Sequence, residues 1–180
     1  MNAQELLEKG SGTTQEALEI FDNLPPVDLE FMKGRWHGGE VYTGHPMEGL
    51  LDYSGWYGKL FQSPEEVHPL LFYARKKTRL YAINPQLVPL SPKLPKIKAL
   101  GWVMALIRPV VKTRKFRARM RMVTYRGKHT GAMVYDHRAI IDVFAKVDED
   151  TMLGIMDLKG DNRPYVFYLR RDDSIFKIKY

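Results

Sequence analysis

The sequence predicts a mainly β fold: an antiparallel barrel preceded by an N-terminal helix and covered by a helical lid segment. Three observations carry that expectation. The last third of the chain divides into strand-sized apolar segments joined by short connections rich in Asp, Asn and Gly, the pattern of successive hairpins. From residue 115 to 122 the cations Lys115, Arg117, Arg119 and Arg121 alternate with Phe116, Ala118, Met120 and Met122, a period of two with one dry face. With 180 residues in all, neither half has enough apolar residues to close alone, so both should build one barrel.

Residues 1–26 form an arm and a helix. Thr13 and Glu16 have the spacing of a capping box, Ala17, Leu18, Phe21 and Leu24 follow a helical period, and Pro25-Pro26 ends it. Before Ser11 the chain reads as a loose polar arm with one turn over residues 4–8. Residues 27–84 break into short segments punctuated by Gly and Pro. Strands are expected over residues 32–42, 52–57, 71–73 and 79–83, the last stopping at Asn84-Pro85. Residues 85–112 open with four prolines (Pro85, Pro89, Pro92, Pro95), too many for a sheet interior. Residues 97–111 then read as an apolar helix stopping near Pro109. Residues 113–180 supply strands over 115–123, 130–135, 139–147, 151–157, 165–170 and 174–179.

Composition excludes several functions. The absence of cysteine removes disulfide scaffolds, zinc ribbons, iron–sulfur clusters and thiol catalysis, and it fits a reducing compartment, so a cytoplasmic location is expected. The N-terminal MNAQELLEKG carries acids and lacks the apolar core of a signal peptide. The apolar run from Ala99 to Ile107 is far short of the ~20 residues a spanning helix requires. Charge is lopsided: residues 67–135 hold 16 Lys and Arg and no Asp or Glu, leaving 12 basic and 21 acidic residues elsewhere. Such a map suggests an anionic partner, a steering field, or simply a solvated basic face. Nucleic acid is not expected as a partner, because the arginine face of residues 115–121 lacks interleaved aromatics and no nucleic-acid-binding signature appears. A membrane-surface contact through Lys96 to Lys112 combines apolar bulk with cations, but these sit at the ends and form no polar face. Neither a Gly-rich phosphate loop nor a metal-ligand spacing occurs.

Gly34-Arg35-Trp36-His37-Gly38 matches GxWxG, the first-strand motif of lipocalins and related barrels, in which the tryptophan plugs one barrel end. The blocks that follow are Thr43-Gly44-His45-Pro46, Glu48-Gly49, Trp56-Tyr57-Gly58-Lys59, Phe61 and Val67-His68-Pro69-Leu70. Together they resemble the bacterial GXWXG family. Residues 118–122, Tyr125-Arg126-Gly127, residues 133–136, Ile140-Ile141-Asp142, Phe144 and residues 153–157 resemble its companion, domain of unknown function 4334. The two resemblances cover about Pro25 to Asp173 and imply a calycin or lipocalin-like barrel. They also imply an association with cofactor-free enzymes that open terpene epoxides. The chain departs from the family pattern at Val143, where a histidine is expected, and at Ala139, where proline is commoner.

Several side chains are candidates for chemistry. Ile140, Asp142 and Phe144 share one strand face, so a carboxylate points inward if that face lines the barrel. Asp136, between Tyr135 and His137, is a second candidate acid. A buried carboxylate is costly unless protonated or paired, so Asp142 is either an ion-pair partner of an inward Arg119 or Arg121 or the seat of chemistry. His45, between Gly44 and Pro46, is a candidate proton acceptor and Tyr135 an orienting group. Trp56, Tyr57 and Phe144 are candidate cavity walls.

The leading reading is a cofactor-independent lyase or isomerase that opens an epoxide by acid–base catalysis, with Asp136 or Asp142 as acid and counter-charge. The alternative is a non-catalytic carrier of a fatty acid or similar amphiphile, gripped by Arg119 and Arg121. A third reading, haem ligation, requires an inward His37 or His137. In the first two the partner is a small hydrophobic molecule. The sequence leaves oligomeric state open, a dimer included.

Overall fold

Eight strands close into an antiparallel barrel in the computed structural model, which describes residues 1–74, 79–89, 99–174 and 177–178. The strands are β1 (Gly34–Glu40), β2 (Trp56–Ser63), β3 (Glu66–Tyr73), β4 (Arg79–Ala82), β5 (Ala118–Tyr125), β6 (Lys128–Tyr135), β7 (Ile140–Asp148), β8 (Thr151–Leu158), β9 (Asp161–Arg171) and β10 (Lys177–Ile178). Around the ring the order is β3-β2-β1-β9-β8-β7-β6-β5, and Val67 opposite Ala118 returns β5 to β3. The seam is short, with Arg117 N–H donating to the Val67 carbonyl and Met120 N–H to the Pro64 carbonyl. β4 extends the sheet from β3, and β10 pairs with β4 in parallel.

Turn chemistry explains the hairpins. Between β5 and β6 the two loop residues Arg126 and Gly127 both have positive φ, 51° and 79°, as a tight twist-matched hairpin demands. Alternation then sorts each strand. On β7, Ile140, Asp142 and Phe144 face the interior, whereas Val143 and Ala145 face outward. Helices α1 (Ala3–Lys9) and α2 (Thr14–Asn23) cover that outer face, packing Leu6, Leu7 and Phe21 on Val143, Ala145, Leu153, Ile155 and Val166. Each carries a full capping box, at Asn2–Glu5 and Thr13–Glu16. The expected loose arm is therefore a helix.

The short helix α3 (Leu29–Met32) leads into β1 and seals one end of the barrel. Trp36 is fully buried there, its Nε1 donating to the Met32 carbonyl at 2.8 Å. Arg171 lies over its ring at 4.3 Å and donates to the carbonyls of Phe31 and Lys33.

The opposite end is roofed by α4 (Leu50–Ser54), a short 3-10 turn (Pro85–Leu87) and α5 (Ala99–Val111). α4 corrects the expected strand over residues 52–57: Gly55, at φ 78°, ends a helical turn, and the strand starts only at Trp56. α5 also runs through Pro109 to Val111. Pro92 and Pro95 of the proline-rich segment lie outside the described residues. Among the described residues no helix is long and apolar enough to cross a membrane.

Candidate functional site

Under the roof lies a cavity of about 110 Å³, walled by strand residues from both halves of the chain and by the inner sides of α4 and α5. Its walls are mostly apolar, including Leu50, Trp56, Phe72, Ile83, Met104 and Phe167. Among the described residues two charged groups break that surface. Lys59 and Asp142, 3% and 2% exposed, meet across the barrel with Nζ 2.7 Å from Oδ2. The ammonium also donates to the Pro69 carbonyl at 3.2 Å. Around it stand the rings of Phe167, Trp56 and Tyr135, with centroids 5.1, 5.7 and 5.8 Å from Nζ. This is an aromatic cage around a cation.

The local backbone explains why a lysine faces inward here. The register of β2 shifts on both sides of Gly58, so Trp56 and Lys59 both enter the barrel while Tyr57 points out. The second glycine of the GxWxG motif completes the wall. A Cβ at Gly38 would fall 2.1 Å from the Trp56 ring, so only glycine lets that indole lie across β1. Burial pushes the Asp142 carboxyl above its ordinary value, opposed by the charge and hydrogen bond of Lys59.

A second buried acid sits behind the wall. Glu40 accepts the backbone N–H groups of Gly49 (2.8 Å) and Leu51 (3.2 Å) and the Tyr165 hydroxyl. It thereby ties the start of α4 to a cavity-lining tyrosine. Burial raises its carboxyl to about 7. The loop before α4 is held by Glu48, which accepts from the N–H groups of Thr43, Gly44 and His45.

The expected site residues separate into three groups. Asp142, Tyr135 and Trp56 line the cavity. Phe144 is interior but lies deeper, edge-on to Phe61 and Phe167. The remainder lie elsewhere. Asp136 is exposed at the turn after β6, so it is no buried acid. His45 is buried behind Tyr165. Its Nδ1 accepts the Met47 N–H at 3.1 Å and its Nε2 faces Asp161 at 3.7 Å, a structural tether beside the cavity. Tyr57 packs on the outer face with Leu71 and Leu80, its hydroxyl on Asp172. Arg119 is exposed, and Arg121 pairs with Glu65 outside the barrel at 2.7 Å. The inward arginines are thus corrected: Ala118 and Met120 take the interior of β5. The carrier reading loses its carboxylate grip. His37 packs against Tyr57 and Tyr73 on the outer side and His137 is exposed, so neither is placed to ligate haem in the cavity. Among the described residues no group of three or more metal-ligating side chains forms.

Lys59 is the residue that sequence reasoning missed. The signal was its place within Trp56-Tyr57-Gly58-Lys59, a block carrying the family resemblance, next to a glycine able to hold a bulge.

Comparison with known proteins agrees with this architecture. Residues 19–77 match the GXWXG protein family and residues 116–171 match domain of unknown function 4334. A crystal structure of a protein from Thermomonospora curvata is 30% identical. The alignment covers 94% of this chain and 95% of that one, with a TM-score of 0.71. The chain belongs to the GXWXG family with a C-terminal domain of unknown function 4334. No curated protein matches it.

Proposed function

We propose that this protein binds a compact, uncharged hydrophobic molecule with one oxygen function and rearranges it by proton transfer between Lys59 and Asp142. The observation that carries this reading is the Lys59–Asp142 salt bridge, buried in a cavity whose described walls are mostly apolar. Because the pair is neutral as a whole, an anionic guest would find no uncompensated cation and would lose its hydration without return. A neutral epoxide instead offers an oxygen that can accept a proton from the Lys59 ammonium.

The steps balance within the pair. Lys59 gives its proton to the epoxide oxygen, the more substituted C–O bond breaks, and positive charge develops on carbon. The faces of Trp56, Phe167 and Tyr135 stabilise that charge as they do the ammonium. Asp142 then removes a proton from the neighbouring carbon, giving an unsaturated alcohol, and returns it to Lys59 2.7 Å away. The product is an isomer of the substrate, and no cofactor enters. A dry cavity matters because water would trap the cation as a diol. The volume of about 110 Å³ is on the scale of cavities that hold one small ring. A ten-carbon terpene epoxide enters only if α5 withdraws.

The test is turnover of a panel of cyclic terpene epoxides by the parent protein, Lys59→Met and Asp142→Asn. The expected product is an isomeric alcohol. Each substitution should cost ~100-fold or more in turnover, while a non-reactive cyclic ether still binds. Turnover unchanged in both variants, or diol as the main product, would contradict the reading.

A further inference from the structure

The outer face of α5 is the least explained surface of the molecule. Of its 13 residues only Arg108 is charged, and that side chain turns back over the Tyr81 ring at 5.7 Å. The inner side carries Leu100 and Met104 to the cavity. The exposed side consists of Trp102, Val103, Ala105, Leu106, Pro109 and Val110, all apolar. Trp102, Leu106 and Val110 follow one another at a spacing of four and are 76%, 80% and 72% exposed. Scattered apolar side chains on a surface are ordinary; a whole helix face without one polar group marks an interaction site.

Charge identifies the partner. Lys112, Arg114, Lys115 and Arg117 follow the helix directly, Arg114 and Lys115 exposed, within the 69-residue stretch that has no acid. A second copy of the chain docked face to face through α5 would bring two such clusters together. An anionic lipid surface satisfies both features at once: hydrocarbon takes the apolar face and headgroups take the cations. Trp102 also suits the boundary between them.

We propose that α5 docks on anionic membranes, its outer face entering the lipid interface while its inner face closes the barrel cavity. One helix then separates lipid from the guest site, and a hydrophobic guest passes between them when α5 moves. The docking does not depend on any reaction in the cavity.

The test is sedimentation with phosphatidylcholine vesicles, with and without phosphatidylglycerol, while tryptophan emission is recorded. Trp36 and Trp56 are buried and Trp102 is 76% exposed, so quenching by brominated lipid reports Trp102. The expected result is binding to the anionic vesicles, weakened by salt, with Trp102 emission shifted to the blue and quenched by brominated lipid. Leu106→Glu should weaken partitioning roughly ten-fold or more. Lys115→Glu should weaken it less and reduce its salt sensitivity. Failure to sediment with either vesicle, or equal binding by Leu106→Glu, would overturn the proposal. So would a dimer that buries Trp102 without lipid and that Leu106→Glu dissociates.

Discussion

The two ends of this barrel solve the same problem differently. At the α3 end Trp36 fills the interior, its one polar atom satisfied by the Met32 carbonyl and its outer face covered by Arg171. At the α5 end the barrel stays partly empty, and an ammonium and a carboxylate are buried where apolar residues would pack more cheaply. The Trp36 indole and the Lys59–Asp142 pair each have hydrogen-bond partners, yet one end is filled and the other is left open. The filled end maintains the fold, and the open end is free for a guest. Substitutions at the filled end should unfold the protein. Those at the open end should change what the protein binds and does.

The largest effect belongs to the plug. Trp36→Ala should cost about 3–5 kcal/mol in chemical denaturation, and a loss under ~1 kcal/mol would erase the contrast between the ends. At the open end, Asp142→Ala strands a buried ammonium and should cost about 3–5 kcal/mol as well. The double variant Lys59→Met with Asp142→Leu should return to parental stability or exceed it while remaining inactive. Stability and function would thus separate at this end, which no substitution at Trp36 can achieve. A double variant as unstable as Asp142→Ala would show the pair to be structural.

Glu40 sharpens the comparison by pH. Its carboxyl rises from an ordinary 4.5 to about 7 through burial, so the folded protein holds a proton that the unfolded chain has released. The associated stability is fully present below pH ~4.5 and is lost as pH rises through ~7, on the order of 3–4 kcal/mol at ~1.4 kcal/mol per unit. Denaturation midpoints measured across that window should fall with rising pH, and Glu40→Gln should flatten the trend. Because Glu40 holds the start of α4, the same rise in pH should loosen the roof of the cavity. The smallest effect is expected at Gly38→Ala, about 1–3 kcal/mol from displacing the Trp56 indole, read by denaturation together with weakened binding of a cyclic ether.

The sequence made the barrel legible because hairpin turns and strict alternation are local signals. The inward face of β7 follows from Ile140, Asp142 and Phe144 alone. Lys59 was not legible for a physical reason: strict alternation groups it with Tyr57, and only the bulge at Gly58 returns it to the interior beside Trp56. Its partner lies 83 residues further along the chain, which no periodicity can reveal. On β5 the alternation was sound, and the error lay in turning its cationic face inward. Solvated arginines and a buried Met120 are the cheaper arrangement. The strand expected before Trp56 failed because residues 50–54 are organised by Glu40 at the end of β1, which accepts the N–H groups of Gly49 and Leu51 in a side-chain contact that periodicity does not register.

Among the described residues the charges lining the cavity are Lys59 and Asp142, which cancel, so it should accept a neutral guest. Calorimetric titration of the parent protein with a cyclic terpene ether and with a carboxylic acid of the same carbon skeleton tests this most directly. Saturable binding of the ether is expected, lost when Met104→Trp fills the cavity, with at least ~10-fold weaker binding of the carboxylate. Tighter binding of the carboxylate, or ether binding indifferent to Met104→Trp, would contradict that expectation.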